Sequence, residues 1–249
     1  MRRRVLVTRP EPGASRTANR LAALGLEPVG LPLTQMLALP VALAGLPGGA
    51  DRVAATSANA LRLAPKALTA ALAHLPCHAV GAKTADAARA AGFLCVHEGP
   101  GDAGALADEI AALPQLREEA ALPQLGEMAA SPQLGEMAAS PPGRKIVYLC
   151  GRVRLAAFEE RLRTAGISVD PVETYDTLAI ERESVEIVVR LSGAPVDAVL
   201  LYSAGAARAM LGVLGRLELA HLFANAMFLC LSDRVAASLG SVDGGKVRI

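Results

Sequence analysis

The sequence predicts an α/β protein of two related halves, each a doubly wound parallel sheet, with a cleft between them. Three observations predict it. First, residues 5–39 (VLVTRPEPGASRTANRLAALGLEPVGLPLTQMLAL) and 146–180 (IVYLCGRVRLAAFEERLRTAGISVDPVETYDTLAI) share one pattern. Each opens with a short apolar strand and a polar turn, continues as a helix of about four turns ending at LG or AG, and leaves in an extended segment. Second, DRVAATSANALRLAPKAL (51–68) is answered by DAVLLYSAGAARAMLGVL (197–214), and CHAVGAKTADAARAAG (77–92) by MFLCLSDRVAASLG (227–240). Third, the strand segments are apolar runs without strict alternation, as expected where helices cover both faces of a parallel sheet. Units this long, repeated in one order, indicate duplication, because solenoid periods run only to roughly 20–50 residues.

In chain order, strands are expected at 4–8, 27–33, 52–56, 78–81, 93–97, 145–150, 167–173, 197–202, 226–231 and 246–249. Helices are expected between them at 14–25, 58–74, 84–91, 103–112, 153–165, 182–192, 204–214 and 233–239. The strands are Val-, Leu- and Ala-rich runs, and several helices begin at a hydroxyl residue able to cap them. Alternation of the two element types implies layered sheets with right-handed crossovers.

Bulk properties narrow the class. With 249 residues, the chain can bury one large core or two modest ones. A hydrophobic content of 52% with only 3% aromatic residues points to aliphatic helices on parallel strands. The net charge of +1 carries no signature of nucleic-acid binding. No apolar run approaches the roughly 20 residues that span a bilayer. The basic start MRRRVLVTRP has an apolar stretch too short for a signal peptide. A soluble cytoplasmic protein is expected. Cys77, Cys95, Cys150 and Cys230 lie in or beside expected strands without close pairing, so they read as reduced core thiols. His74, Cys77 and His78 cluster, but no second ligand group completes a metal site, and they read as a turn entering a strand.

One segment departs from this plan. LPQLREEAA (113–121), LPQLGEMAA (122–130) and SPQLGEMAA (131–139) are near-copies, and Pro114, Pro123 and Pro132 would interrupt a long helix each time. They read as an inert tandem expansion at a tolerant surface connection.

Ligands of open parallel sheets bind beyond the carboxyl ends of strands, where helix N-termini direct free N–H groups outward. The expected strand exits carry Thr8 and Arg9; Thr56, Ser57 and Asn59; Gly81, Lys83 and Thr84; Gly151, Arg152 and Arg154; Tyr202 and Ser203; and Ser232 and Arg234. Any one hydroxyl here is ordinary capping. Six such turns with five basic residues point to a multiply anionic ligand, whether carboxylate or phosphate. GPGDAG (99–104) matches a dinucleotide fingerprint and would support a nucleotide-dependent oxidoreductase. The acidic residue expected about 20 positions later falls inside the nonapeptide repeats, so a flexible turn before a helix is the preferred reading. Tyr175, in VETYDT, is either an edge packing residue or a phenolic proton source.

VLVTRP near the start, TSxNA at 56–60, VGxKTA at 80–85, VExYxT at 172–177 and YSA at 202–204 together resemble uroporphyrinogen-III synthase. The resemblance runs through the chain except 113–142. It implies two α/β domains joined by two extended crossing strands, LPLTQML and VETYDTL. One domain would combine 1–37 with 181–249, and the other would span 38–176 with the insertion at about 113–142. It also implies conversion of linear hydroxymethylbilane into uroporphyrinogen III, with loss of water and inversion of ring D, using no cofactor and no metal. Tyr175 would be catalytic. Thr56, Ser57, Thr84 and Ser203 match positions lining the cleft; Arg9, Lys83 and Arg234, with Asn59, Gly81 and Ser232, complete the expected substrate-binding set. The expected form is a monomer with no nucleic-acid or membrane partner. Asp233 and Arg234 stand where some relatives carry a threonine-bearing turn. The sequence stops at KVRI (246–249), where family members usually continue into a final helix; exposed apolar surface, lower stability or reliance on a partner is therefore expected. The alternatives are a non-catalytic polyanion-binding module and an inactive copy of the synthase.

Overall fold

Strands rich in Val, Leu and Ala on both faces must be covered twice, and the chain forms two sheets whose central strands all run parallel between helices. The computed structural model describes residues 2–45, 48–113, 144–240, 242 and 246–249. The nonapeptide repeats lie outside the described residues apart from Leu113. The chain divides into two compact units, 1–37 with 177–249, and 38–176.

The first unit begins with β1 (Arg4–Val7), α1 (Gly13–Ala23) and β2 (Glu27–Gly30), and β3 (Thr34–Ala38) leads out of it. The second contains β4 (Arg52–Ala55), α2 (Ala58–Arg62), α3 (Lys66–Leu72), β5 (Cys77–Ala79), α4 (Ala82–Ala90), β6 (Val96–Glu98), α5 (Ala103–Ala112), β7 (Lys145–Gly151) and α6 (Ala156–Thr164). The long strand β8 (Ser168–Ala179) returns the chain to the first unit. There follow α7 (Ser184–Arg190), β9 (Ala198–Leu201), α8 (Ala204–Leu214), α9 (Ala220–Phe223), β10 (Met227–Cys230), α10 (Asp233–Ala237) and β11 (Val247–Arg248).

The first sheet runs β11-β10-β9-β1-β2 with every pair parallel. The second runs β3-β8-β7-β4-β5-β6, parallel from β8 to β6. β3 and β8 are antiparallel: Leu39 N–H donates to the Thr174 carbonyl and Ile180 N–H to the Leu33 carbonyl, each at 2.9 Å. The duplication expected from the sequence reappears in the strand order. β2-β1-β9-β10-β11 matches β8-β7-β4-β5-β6 position for position, although the βαβ piece comes first in one unit and last in the other. Each sheet therefore reverses its winding at one place, between β1 and β9 and between β4 and β7.

Leu6, Val199, Leu201, Phe228, Met210 and Ile187 pack together in the core of the first unit. In the second unit β4 is buried on both sides. Val53 and Ala55 meet Leu61, Leu68 and Ala88, while Ala54 meets Ile110, Phe158 and Tyr148. The outward residues of β10 and its exit, Met227, Leu229 and Leu231, remain exposed.

Several expectations need correction. The helix expected at 58–74 is two helices, because Pro65 has no N–H to continue the ladder and restarts it at Lys66. The strand expected at 27–33 ends at Gly30, and Pro32 separates it from β3. The strand at 93–97 shortens to β6, with Phe93 buried ahead of it. Helical turns at Leu217–Leu219 and Ala220–Phe223 were not expected. All four cysteines are free thiols, but Cys95 is exposed rather than part of the core.

His78 is buried in β5 and stacks on His97 across the β5–β6 pair, with ring centroids 4.7 Å apart. Burial, then His97 and Arg52, push its pKa down to about 4. The unfolded imidazole takes a proton below pH about 6.5, whereas the folded one resists until about 4, so the unfolded chain binds more protons across that window. The fold should therefore lose about 2–3 kcal/mol from this group as pH falls through it. Denaturant melts at pH 7 and 4.5 should show that loss in the wild type and most of it abolished in His78→Gln.

Candidate functional site

In the second unit the winding reversal sets the end of β4 beside the end of β7. Thr56 and Ser57 leave β4. Ser57 has extended backbone and caps α2, its Oγ accepting from Asn59 N–H at 3.2 Å. Thr56 Oγ1 lies 2.6 Å from the phenol oxygen of Tyr148, a buried residue of β7.

Tyr175 enters the same place through an irregularity in β8. The β7–β8 register pairs Cys150 with Glu173 and then Gly151 with Tyr175, skipping Thr174. Such a bulge re-aims the next side chain. Thr174 holds it in place: its fully buried hydroxyl donates to the Ala60 carbonyl at 2.7 Å and lies 3.3 Å from that of Cys150. The Tyr175 ring then lies across Gly151, where an added Cβ would stand 2.6 Å from the ring's Cζ. Its phenol donates to Ser57 Oγ at 3.4 Å, and its carbonyl accepts from Arg152 N–H at 2.8 Å. A bond that long is readily exchanged for a ligand oxygen.

Two of the five basic residues counted at the strand exits are already engaged by carboxylates. Arg152 is held by Asp176 at 2.9 Å and Glu173 at 3.3 Å, and Arg154 by Glu159 at 3.0 Å and Glu173 at 3.5 Å. Both guanidiniums brace the middle of β8, on either side of the bulge. Lys83 is exposed in the first turn of α4, with no carboxylate partner among the described residues. Thr84 points inward and is only 4% exposed, because its place in α4 faces the sheet with Ala85 and Ala88. Gly81 sits in a close approach, since a Cβ there would lie 3.2 Å from Gly101 Cα. In GPGDAG, Gly101 has φ +92° and Asp102 caps α5 through Ala105 N–H at 2.9 Å, which is a tight turn with a helix start.

The first unit has its own set at the reversal between β1 and β9. Thr8 donates to the Leu200 carbonyl at 2.6 Å, and the Arg9 guanidinium sits 4.4 Å above the Tyr202 ring. Gly13 leaves room for that guanidinium, which would collide with any Cβ there. Ser203 caps α8, accepting from Ala206 N–H at 3.2 Å. Ser232 opens α10 with its side chain uncommitted as a cap, and Arg234 is exposed as the second residue of that helix.

The structure thus brings Thr56, Ser57, Asn59 and Tyr175 together in one unit and Arg9 and Ser203 to the matching place in the other. Sequence reasoning missed Tyr148 and Thr174, and it listed Gly151 and Tyr202 only as strand exits. The one signal available was residue type, since the chain has only three tyrosines; Tyr202 stands just past the end of β9, whereas Tyr148 lies in the middle of β7 and Tyr175 inside β8. A cavity of about 620 Å3 between α2–α3 and the end of α4, lined by Leu61, Arg62, Lys66, Thr69 and Ala91, contains none of these residues. Among the described residues no group of three or more His, Cys, Asp or Glu side chains could hold a metal ion.

Gly151→Ala should force the Tyr175 ring off its seat. The expected cost is about 1–3 kcal/mol of stability, as for other overpacked sites. Faster nitration of Tyr175 by tetranitromethane should accompany it, and an unchanged nitration rate would contradict the seating described.

The comparisons with known proteins bear on the fold and the family. No curated protein matches the chain. A synthase from Helicobacter pylori 26695 superposes with TM-score 0.56 at 17% identity, covering 96% of this chain and 88% of the other. A mutant synthase from the extreme thermophile Thermus thermophilus gives TM-score 0.52 at 21% identity, with 95% and 87% covered. Both structures are described as uroporphyrinogen III synthase or synthetase, and at these identities they establish the fold. The family described as "Uroporphyrinogen-III synthase HemD" matches residues 15–244, from within α1 to beyond α10, and the chain therefore belongs to the uroporphyrinogen-III synthase family, lyases of porphyrin and haem biosynthesis.

Proposed function

We propose that the chain performs the family reaction at the β4–β7 reversal, with Tyr175 as the proton donor. Hydroxymethylbilane loses its terminal hydroxyl when the phenol proton passes to the leaving oxygen and the C–O bond breaks. Water departs, and the pyrrole nitrogen lone pair stabilises the resulting azafulvene cation. The substituted α-carbon of ring D attacks this cation, its old bond to the methylene bridge of ring C breaks to leave a second azafulvene cation there, and the free α-carbon of the turned ring closes on that methylene. The proton lost from this carbon restores the aromatic ring and reprotonates the Tyr175 phenolate. The observation that carries this reading is the bulged, glycine-seated Tyr175, whose phenol rests on Ser57 by a replaceable bond.

Ser57 and Asn59 are assigned to the leaving hydroxyl and nearby pyrrole, and Thr56, with the exposed Lys83, to substrate carboxylates. Gly81 shapes the turn that presents Lys83, and Thr84 anchors the same turn from inside. In the first unit Arg9, Ser203, Ser232 and Arg234 are assigned to carboxylates, with Arg9 oriented by Tyr202. Eight substrate carboxylates suit a surface of hydroxyls and cations better than a hydrophobic pocket would. Because the bilane can close spontaneously without inversion, most of the catalysis lies in holding the chain bent. The same proposal includes a monomeric, cytoplasmic enzyme; among the described residues no helix is long and apolar enough to cross a membrane.

Freshly prepared hydroxymethylbilane, incubated with the protein and resolved as oxidised porphyrin isomers, should give type III product. Type I alone, as in a blank, would point instead to a binding module. Tyr175→Phe should lower the rate by roughly 10–1000-fold. Full activity in that variant would remove the phenol from the mechanism.

A further inference from the structure

Tyr148 lies beneath Thr56 and has no part in the steps above. Its side chain is 1% exposed, and its ring is fixed against Phe158, with centroids 4.8 Å apart. Its phenol has one hydrogen-bond partner among the described residues, Thr56 Oγ1 at 2.6 Å. Either oxygen could donate, but the two choices differ in consequence. If Thr56 donated, the phenol proton would be buried without an acceptor, which is costly. If Tyr148 donates, every buried polar atom of the pair is satisfied, and the Thr56 proton is released toward solvent, since Thr56 is only half-buried.

We infer that Tyr148 is a positioning residue that fixes Thr56 as a hydrogen-bond donor, so that this point of the site accepts an anionic oxygen and discriminates against a donor group. Burial pushes the Tyr148 pKa up to about 12, so its proton stays in place through the neutral range. A donor that already accepts a bond is polarised by it, which strengthens its own bond to a carboxylate. Nothing in this requires Tyr148 to touch the ligand. The inference rests on the assignment of Thr56 to a substrate carboxylate in the proposed function.

Five proteins test it: wild type, Tyr148→Phe, Thr56→Val, the double variant and the conservative control Thr56→Ser. Two readouts are used, KM and kcat with hydroxymethylbilane, and affinity for the octacarboxylate uroporphyrin III measured by its fluorescence. Tyr148→Phe should raise KM and weaken uroporphyrin binding by about 3–10-fold, with kcat within about threefold. Thr56→Val should cost about 10-fold or more in both, and Thr56→Ser should retain most of the wild-type affinity. Adding Tyr148→Phe to Thr56→Val should cost nothing further, because both act through one hydroxyl. A purely structural Tyr148 would lower the melting temperature and leave KM and affinity unchanged. That result overturns the inference, as does the full Tyr148→Phe loss reappearing in the Thr56→Val background. If the wild type binds uroporphyrin but makes only type I product, the proposed function falls while the binding comparison still decides the role of Tyr148. Failure of the wild type to bind uroporphyrin sinks both.

Discussion

Tyr175 reaches the end of β4 because the backbone takes one extra residue at Thr174 and because Gly151 carries no side chain. Without the extra residue, strand alternation would turn Tyr175 to the other face of the sheet. With any Cβ at position 151, the ring could not lie where it does. The bulge survives because Thr174 satisfies its hydroxyl against two carbonyls in a dry interior, and because Arg152 ties the residues on both sides of Tyr175. The chemistry proposed for the second unit depends on these local constraints, and none of them is itself reactive.

The doubled architecture explains where polar groups can gather. A parallel sheet buries both faces, so its edges in the strand direction are the places where hydroxyls and cations escape the core. At a winding reversal neighbouring connections diverge, which opens space between them. Each unit has one such place, and each fills it with a serine cap and an aromatic side chain: Ser57 with Tyr148 and Tyr175, Ser203 with Tyr202. The units use their arginines differently. Arg9 stacks over Tyr202, whereas Arg152 and Arg154 are neutralised by carboxylates of β8 and α6. The charge offered to a ligand is therefore smaller than the residue count at the strand exits suggests.

The layered fold was legible because its signals are local. The repeated strand–turn–helix pattern, the aliphatic runs and the hydroxyl residues at helix starts each reflect one segment's own physics. The division of 58–74 at Pro65 was equally local, yet the helical periodicity on both sides outweighed it in the sequence reading. Tyr175 stood out by residue type and setting. Its seat did not, because the bulge at Thr174 and the clearance at Gly151 arise from pairing between β7 and β8, which no single segment encodes. The same applies to Tyr148: buried aromatic residues in central strands look like core, and only the cross-strand partner Thr56 gives the phenol a polar duty. The capture of Arg152 and Arg154 was hidden for a similar reason, since their carboxylate partners come from other elements.

The central claim is that the Tyr175 phenol gives its proton to the departing oxygen. The most direct test compares wild type and Tyr175→Phe on two bilanes, one carrying the natural hydroxymethyl group and one an acetoxymethyl group. Acetate leaves without first taking a proton, so the account predicts a large rate loss for the variant on the first substrate and a loss near unity on the second. An equal loss on both would mean that the tyrosine positions the bilane and does not act as its acid.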